Sequence, residues 1–307
     1  MAMENTSVVS SEKRIAVVTG GNKGIGFEIC RQLASNDIII ILTARNESQG
    51  LEAVKKLNGY GLINVIFHQL DVKDPASAAR LAKYVETQFK KLDILVNNAG
   101  VNGTIIHCDE LRAFKESGYQ VCDENAHLLV NKVFEEPYNL GKDCIETNYY
   151  GTKRVTEAFL PLLQLSNSPR IVNITSFYGE LHWIHNEEVK AELLDIDNLT
   201  EERIDGITQQ FLRDFETDNL SKNGWPLTTA AYKISKIVIT AYTRLIARKF
   251  PKILANCVHP GYVKTDITSN FGHMTPEDGA KAPVMVALLG DDGPSGVYFN
   301  QMRISSF

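Results

Sequence analysis

Short apolar blocks rich in β-branched residues alternate with helix-like stretches from residue 15 onward. Apolar strands that are each separated from the next by a helix are typical of a parallel sheet covered on both faces. Seven blocks have the length and composition of strands. They are residues 15–18, 38–42, 65–67, 92–96, 170–174, 254–258 and 297–299.

The stretches between the blocks have the spacing of amphipathic helices. We therefore predict an α/β fold of the Rossmann type: a doubly wound, seven-stranded parallel sheet with helices on both faces. No repeat or low-complexity linker divides the chain, so we expect a single domain at residues 14–307 behind a flexible tail at 1–13. The predicted helices are 25–35, 48–57, 76–89, 144–163, 230–249 and 276–289.

Two long segments, 102–140 and 177–229, interrupt this alternation. Long excursions inside compact domains are usually lids, binding loops or extra helices, so we expect both segments to form a lid over a substrate. The second segment also contains a predicted helix start with Thr200 as its N-cap. Arg203 stands where a capping box would have Glu.

A glycine-rich turn follows the first strand and leads into the first helix, although its glycines do not have the plain G-x-G-x-x-G spacing. Glycines allow a tight turn and close backbone approach, and a helix N-terminus offers N–H groups to a phosphate. On a strand–turn–helix unit, the pattern predicts a site for a dinucleotide pyrophosphate. The residues expected there are Gly20, Asn22, Lys23, Gly24, Ile25 and Gly26.

At the end of the second strand the chain reads Thr43-Ala44-Arg45, without the acidic residue that would bind the ribose 2′-hydroxyl of NAD. Arg45 can instead receive a 2′-phosphate with added charge from Lys23, although both could also be ordinary surface cations. We therefore expect NADP(H) as the cofactor. Asp71 and its neighbour Val72 lie at the end of the third strand, where Asp71 could contact the adenine amino group, cap a helix, or do both.

Tyr232 and Lys236 are four residues apart in a predicted helix, which places them about one turn apart on one face. A nearby ammonium favours the ionised phenol and lowers its pKa, so that the phenol can hand a proton to a developing alkoxide. The same spacing is common on solvated helix faces. The pair therefore indicates chemistry only together with other residues.

Such residues occur together and in order: the glycine turn, Asn97-Asn98-Ala99-Gly100, Asn148, Ser176, the Tyr232/Lys236 pair and Pro260-Gly261. With them the chain resembles the short-chain dehydrogenase/reductases over nearly its whole length. The glycine turn and the segments 67–71 and 291–296 resemble the carbonyl-reductase-like branch. They are most similar to its plant salutaridine reductase and menthone (neomenthol) reductase group.

The resemblance implies a catalytic tetrad of Asn148, Ser176, Tyr232 and Lys236. Asn148 would hold a water, Ser176 would hydrogen-bond the substrate carbonyl, and Tyr232 would be the general acid in reduction. Lys236 would hold the nicotinamide ribose and lower the pKa of the phenol. The other residues that the resemblance places at the cofactor are Asn98, Ala99, Gly100, Pro260, Gly261, Val263 and Thr265.

These residues predict an enzyme that uses NADPH to reduce a ketone to a secondary alcohol. Apolar side chains in the two long segments indicate a hydrophobic cyclic substrate, and the resemblance suggests a monoterpenoid or alkaloid ketone. Two alternatives stay open: an enone C=C reductase of the same branch, where the tyrosine position is acidic, and a non-catalytic NADP(H)-binding protein. The apolar side chains are Ile105, Ile106, Phe177, Tyr178, Leu181, Trp183, Ile184, Trp225 and Leu227.

The composition restricts the partners. A net charge of −5 offers no basic field for nucleic acid or an anionic membrane, and no apolar run has the length of a membrane span. The N-terminus lacks an apolar signal region and the five cysteines lack a Cys-x-x-Cys pair, so we expect a cytoplasmic protein with reduced thiols. The resemblance implies a monomer, because the second long segment covers a helix face that shorter relatives use to form tetramers.

His182 and His185, followed by Glu187 and Glu188, could be drawn as a metal site. The alternative is a surface or lid segment with an aromatic anchor, and the predicted chemistry needs no metal. We therefore expect no metal ion.

Overall fold

A twisted central sheet organises the computed structural model, which describes residues 13–116 and 132–307. Two further short strands, Ile105–Ile106 and Phe134–Glu135, pair with each other outside this sheet. In chain order the described strands are β1 Ile15–Val18, β2 Ile39–Ala44, β3 Val65–Gln69, β4 Ile94–Asn97, β5 Ile105–Ile106, β6 Phe134–Glu135, β7 Arg170–Ile174, β8 Leu254–His259, β9 Tyr298–Asn300 and β10 Arg303–Ser305.

The central sheet has the strand order β10-β9-β8-β7-β4-β1-β2-β3. Its seven parallel strands coincide with the seven apolar blocks, so the predicted doubly wound sheet is confirmed. The eighth strand, β10, pairs antiparallel with β9 and is an addition to the prediction. All three of its residues are exposed, so it carries no apolar pattern that the sequence could reveal.

Helices cover both faces of the sheet, and successive side chains of β1 show why. Ile15 and Val17 belong to the apolar core on one face, whereas Ala16 and Val18 belong to the core on the other, as the two-residue period of a strand requires. The described α-helices are α1 Gly24–Ala34, α2 Glu47–Gly59, α3 Pro75–Phe89, α4 Cys108–Glu116, α5 Tyr138–Ile145, α6 Gly151–Leu163, α7 Glu187–Leu194, α8 Glu201–Glu216, α9 Ala230–Lys249 and α10 Pro276–Ala287.

The helix predicted at 144–163 is not continuous. A single π turn, Glu146–Tyr150, separates α5 from α6, and the Gly151 amide bonds back to the Glu146 carbonyl. Single π turns inside helices are frequent at functional sites. This one contains Asn148, whose side chain is fully buried.

Most of the segment 177–229 packs on the outside of the helical layer. Asp205 of α8 accepts hydrogen bonds from the Tyr149 hydroxyl and from the Lys153 ammonium, both at 2.7 Å. Thr200 caps α8 by accepting from the Arg203 amide at 3.2 Å, as predicted. The segment therefore covers the face formed by α6 and α9.

Three apolar residues predicted to line a substrate pocket lie in the core instead. Leu181, Ile184 and Trp225 are buried with the main apolar cluster, so they anchor the segment 177–229. Phe177 is 39% exposed and Leu227 is 56% exposed. Only part of the predicted apolar set can therefore face a substrate.

Some expectations fall outside what the structure describes. Residues 1–12, within the predicted tail, and residues 117–131 of the first long segment lie outside the described residues. Among the described helices, none combines the length and apolar character needed to cross a membrane. The single domain and the lid stay predictions.

A substitution of Asp205 tests how the segment 177–229 is held against the helices beneath it. Asp205→Ala leaves the Lys153 ammonium and the Tyr149 hydroxyl without this acceptor, so the free energy of unfolding should fall by about 2 kcal/mol. Urea unfolding followed by circular dichroism measures it. Asp197→Ala is the control, because that carboxylate is 91% exposed and 3.9 Å from Arg248, and it should change stability by less than about 0.5 kcal/mol. Equal losses in the two variants would contradict the anchoring role.

Candidate active site

A cleft of about 760 Å³ opens where β1 and β4 end. The strand order reverses at this point, and open α/β sheets bind ligands at such a crevice. The predicted cofactor residues that line the cleft are Gly20, Asn22, Lys23, Gly24, Ile25, Gly26, Arg45, Asp71, Val72, Asn98, Ala99, Gly100 and Thr265. The predicted residues outside this lining are Tyr232, Lys236, Pro260, Gly261 and Val263.

The glycine turn is tightly packed and leaves no room for a side chain at Gly26. Gly24 adopts a φ of +56°, and a Cβ on Gly26 would lie 2.3 Å from the Gly20 carbonyl oxygen, so a side chain at Gly26 would clash with the turn. Lys23 is the N-cap of α1, but its side chain does not cap the helix. The first amides of α1 therefore lie at the cleft without a side-chain acceptor, an arrangement that suits a pyrophosphate.

Asn98 joins the glycine turn to the end of β4. Its side-chain amide donates to the carbonyls of Thr19 and Gly20, at 2.9 and 3.1 Å. The backbone amides of Asn98 and Ala99 both donate to the Thr19 hydroxyl at 2.9 Å. Asn98 thus lines the cleft, as predicted, and also fixes the turn against the sheet.

Arg45 and Lys23 differ in their surroundings. Arg45 is exposed at the cleft, and within residues 13–116 and 132–307 its guanidinium forms no ion pair. Lys23 pairs with Asp266 at 2.5 Å, and both side chains are 67% exposed. The structure therefore leaves Arg45 available for a 2′-phosphate, whereas Lys23 already has a carboxylate partner.

Asp71 lies in the cleft lining, but the alternative that it caps a helix is wrong. Asp74 is the N-cap of α3 and accepts from the Ala76 amide at 2.9 Å. Asp71 instead accepts from the Lys73 amide at 3.0 Å, which closes a short turn after β3. Asp71 lies in the cleft lining, and its contact with an adenine amino group stays a prediction.

Ser176, Tyr232 and Lys236 come together at the carboxyl end of β7. The Lys236 ammonium donates to the Ile174 carbonyl at 2.9 Å and lies 5.4 Å from the centroid of the Tyr232 ring. Ser176 lies close enough to the Tyr232 hydroxyl to influence its ionisation. The group borders the cleft, because a Cβ on Gly100 would lie 3.7 Å from the Lys236 nitrogen.

In the protein alone the pKa of the Tyr232 phenol is shifted upward, not downward as predicted. Burial raises the pKa of Tyr232, and a hydrogen bond with Ser176 offsets only part of that rise. Burial also lowers the pKa of Lys236 to about 8, from an ordinary value of 10.5. The sequence could not reveal this, because the direction depends on how deeply α9 is buried.

Asn148 lies behind this group in a hydrogen-bond network that the sequence did not show. Its side-chain oxygen accepts from the Val101 amide at 2.8 Å, and its side-chain nitrogen donates to the Val101 carbonyl and the Ser235 hydroxyl, at 2.9 and 3.0 Å. The Ser235 hydroxyl in turn donates to the Tyr232 carbonyl at 2.7 Å. Asn148 thus links the end of β4 to the helix that carries Tyr232.

Glu136 is a residue that sequence reasoning missed. Its two carboxylate oxygens accept from the amides of Ala230 and Ala231, at 2.7 and 2.8 Å, and so cap the N-terminus of α9. Thr229, the N-cap residue by position, has φ +47° and makes no side-chain cap. A negative charge is favourable at a helix N-terminus, and this one lies in the turn before Tyr232. No local signal marks it, because 94 residues separate Glu136 from Ala230.

The segment after β8 reaches the cleft only in part. Thr265 lines it, and its methyl group would lie 3.4 Å from a Cβ on Gly24. Val263 is buried, and its side chain packs closely against Gly279. The predicted contacts of Val263 and Thr265 with a nicotinamide carboxamide, and those of Pro260 and Gly261, stay predictions.

The histidines of the segment 182–188 do not form a metal cluster. His182 lies 3.3 Å from the Glu180 carboxylate, and its ring packs on Trp183 with 4.6 Å between centroids. His185 is exposed. Across the part of the chain that the structure describes, no three His, Cys, Asp or Glu side chains are grouped to hold a metal ion.

Comparison with known proteins identifies the family. The model of the family "short chain dehydrogenase" matches residues 14–188, which is more than half of the chain. This chain belongs to the short-chain dehydrogenases. The predicted resemblance is therefore confirmed, and with it membership of an oxidoreductase family whose enzymes use NAD(P)(H).

Its relatives among these dehydrogenases match over almost their full lengths. Salutaridine reductase from Papaver somniferum is 48% identical, with 97% of each chain covered. (+)-Neomenthol dehydrogenase from Capsicum annuum is 44% identical over all of both chains, and (-)-isopiperitenone reductase from Mentha piperita is 47% identical over 94% of this chain and 96% of that protein. The solved structure of salutaridine reductase from Papaver somniferum superposes with a TM-score of 0.85, at 47% identity, over 94% of this chain and 99% of that one.

The low pKa of Lys236 gives this dehydrogenase a testable pH dependence. Between pH 8 and 10.5 the folded protein binds fewer protons at Lys236 than the unfolded chain does, so this residue makes stability rise with pH in that window. The difference in unfolding free energy, parent minus Lys236→Met, should therefore increase by up to about 1.4 kcal/mol per pH unit.

Urea unfolding at several pH values measures this difference, and below pH 8 it should be flat. Lys222→Met is the control, since Lys222 is exposed on the loop before α9 and its removal should leave the pH profile of the parent unchanged. A difference for Lys236→Met that stays constant from pH 8 to 10.5 would contradict the assignment.

Proposed function

We propose that the protein uses NADPH to reduce a ketone on a hydrophobic cyclic substrate, of monoterpenoid or alkaloid type, to a secondary alcohol. The observation that carries this proposal is the convergence of Ser176, Tyr232 and Lys236 at the edge of the cleft that the glycine turn lines. Relatives at 44–48% identity are named as a salutaridine reductase and a neomenthol dehydrogenase, which supports the same kind of substrate.

The residues of the cleft fit a dinucleotide. The close approach of Gly26 to Gly20 leaves a cradle that a side chain would fill, and the uncapped start of α1 suits the pyrophosphate. Arg45, which has no ion pair among the described residues, would hold the 2′-phosphate that distinguishes NADP(H) from NAD(H). When bound, the nicotinamide supplies the hydride.

The chain's own residues would bind the carbonyl and supply the proton. Negative charge grows on the substrate oxygen during reduction, and the hydroxyls of Ser176 and Tyr232 would stabilise it by hydrogen bonds. Tyr232 would then give its proton to that oxygen, and its raised pKa keeps the phenol protonated until the alkoxide forms. Lys236 would bind the ribose hydroxyls. Asn148 would hold the helix that carries Tyr232 and Lys236 against the end of β4. The water that the resemblance assigns to Asn148 would return a proton to the Tyr232 phenolate.

The aromatic side chains next to Tyr232 support an apolar ring substrate. The ring of Tyr178 packs edge-on against Tyr232 with 6.2 Å between centroids, and Phe177 is 39% exposed beside it. Pockets lined by aromatic rings with a few polar fixtures bind apolar ligands with a defined orientation. A tyrosine at position 232 favours carbonyl reduction over reduction of an enone C=C bond.

Replacing the phenol tests the assigned proton donor. Tyr232→Phe should lower kcat for a cyclic ketone such as menthone by at least about 100-fold, because a positioned acid contributes that much or more. The assay follows loss of NADPH absorbance, with chromatography to show that the product is the alcohol. NADPH affinity should change little.

Tyr60→Phe is the matched control for this variant, because Tyr60 is 66% exposed at the end of α2 and should keep full activity. Unchanged activity of Tyr232→Phe would refute the role of the phenol. Formation of a saturated ketone from an enone, with no alcohol, would replace the proposed reaction by C=C reduction.

Reversing the charge of Arg45 tests the choice of cofactor. Arg45→Asp should weaken NADPH binding about 10- to 100-fold, the effect of losing a charge-assisted phosphate contact, and should leave NADH binding nearly unchanged. Titration of nucleotide fluorescence measures both. Arg303→Asp makes the same change of charge on the exposed strand β10 and should affect neither. Equal weakening of NADH and NADPH by Arg45→Asp would remove Arg45 from the 2′-phosphate site.

We further infer that the protein is a monomer in solution. The packing of α8 on the face formed by α6 and α9 supports this, because that face is already covered within one chain. Light scattering should give a mass near 34.2 kDa. A mass of twice or four times this value would contradict the inference.

A further inference from the structure

Lys233 is a buried cation next to the proposed proton donor, and the proposed reaction does not use it. It follows Tyr232 on α9 and is only 4% exposed. Its ammonium donates to the Thr228 hydroxyl at 3.1 Å. A buried charge is unfavourable unless it is paired, so the remaining surroundings of this nitrogen need an explanation.

Beyond Thr228, two aromatic faces lie close to this nitrogen. The Lys233 nitrogen lies 4.3 Å from the centroid of the Trp183 ring and 5.2 Å from that of Tyr178. Both distances are within the range at which a cation is attracted to an aromatic face, and the attraction is strongest for Trp and for desolvated sites.

No carboxylate among the described residues competes with these rings at ion-pair distance. Glu136 acts on Lys233 electrostatically, but both of its oxygens are engaged by the first amides of α9. Burial outweighs its effect and lowers the pKa of Lys233 to about 8. The rings are therefore the principal partners of this ammonium.

These rings belong to a wall beside Tyr232 that has little regular structure of its own. The wall, Phe177–Trp183, consists of two single 3-10 turns, which are weakly hydrogen-bonded elements. Its rings pack edge to face: Trp183 on Tyr178 at 5.2 Å, and Tyr178 on Tyr232 at 6.2 Å. The Trp183 indole also donates to the Phe177 carbonyl at 3.2 Å.

We propose that Lys233 is a positioning residue that fastens the wall Phe177–Trp183 to α9 through the faces of Trp183 and Tyr178, and so fixes the surface against which a ring-bearing ketone binds. This proposal rests on the proposed ketone reduction for its effect on substrates. The fastening itself is a property of the folded chain.

Tryptophan accessibility tests the fastening without any turnover. Trp225 is 1% exposed, so acrylamide quenching of tryptophan fluorescence should report mainly on Trp183, and Trp183→Phe identifies its share of the signal. Lys233→Met, which keeps the length of the side chain but removes its charge, should make Trp183 more readily quenched. Lys233→Arg should restore the parent value, because a guanidinium also binds aromatic faces. Equal quenching in the parent and Lys233→Met would overturn the proposal.

Steady-state kinetics test the consequence for substrates. Lys233→Met should raise KM for menthone about fivefold, the effect of losing one cation–π contact, with kcat and NADPH affinity unchanged. Cyclohexanone, which has the ring without the alkyl branches, should be affected less. Lys233→Arg should again resemble the parent. A fall in kcat with equal losses for both ketones would show general damage to the site and overturn the proposal.

A double-mutant cycle separates the contact from mere folding effects. Trp183→Leu removes the aromatic face and should raise KM for menthone as much as Lys233→Met does. The double variant should then show no further increase, because one interaction cannot be lost twice. Independent, multiplying effects would overturn the proposal. If the parent reduces neither ketone, the proposed function fails, while the quenching experiment still decides the role of Lys233.

Discussion

Helix α9 is buried on almost every side, and the polar groups of its first two turns find their partners inside the protein. Lys236 finds the last carbonyl of β7, and Ser235 finds Asn148 in the π turn. The first amides of the helix find the carboxylate of Glu136. These partners come from separate parts of the chain, so the burial of one helix determines how the sheet, the π turn and the first long segment are arranged around Tyr232.

The same burial disfavours the charged, protonated forms of the two lysines near Tyr232. The pKa of Lys236 and that of Lys233 both fall to about 8, which means that folding works against their protonated forms at neutral pH. An apolar residue of similar size at either position would avoid this penalty. A site that keeps two such ammonium groups within one helical turn has the character of a functional site, where stability is commonly sacrificed for activity.

The features that local patterns determine could be predicted from the sequence. Each parallel strand is a short apolar block, and the glycine turn is a contiguous motif, so the sheet and the lining of the nucleotide cleft follow from the order of residues. The direction of the pKa shift of Tyr232 could not be predicted, because it depends on burial by distant elements. The cap formed by Glu136 and the core positions of Leu181 and Trp225 could not be predicted for the same reason. Nothing nearby in the chain marks which of many acidic or apolar residues will contact α9.

The cap that Glu136 places on α9 has a consequence for how such an enzyme can diversify. Glu136 of the first long segment holds the start of the helix on which Tyr232 lies, so the position of the proposed proton donor depends on this segment. An exchange of that segment for another would change the support of Tyr232 together with any binding surface. Substitutions in this segment can therefore change substrate preference without disturbing Tyr232 only if they leave the cap in place. The positions that hold Glu136 are then not free to vary.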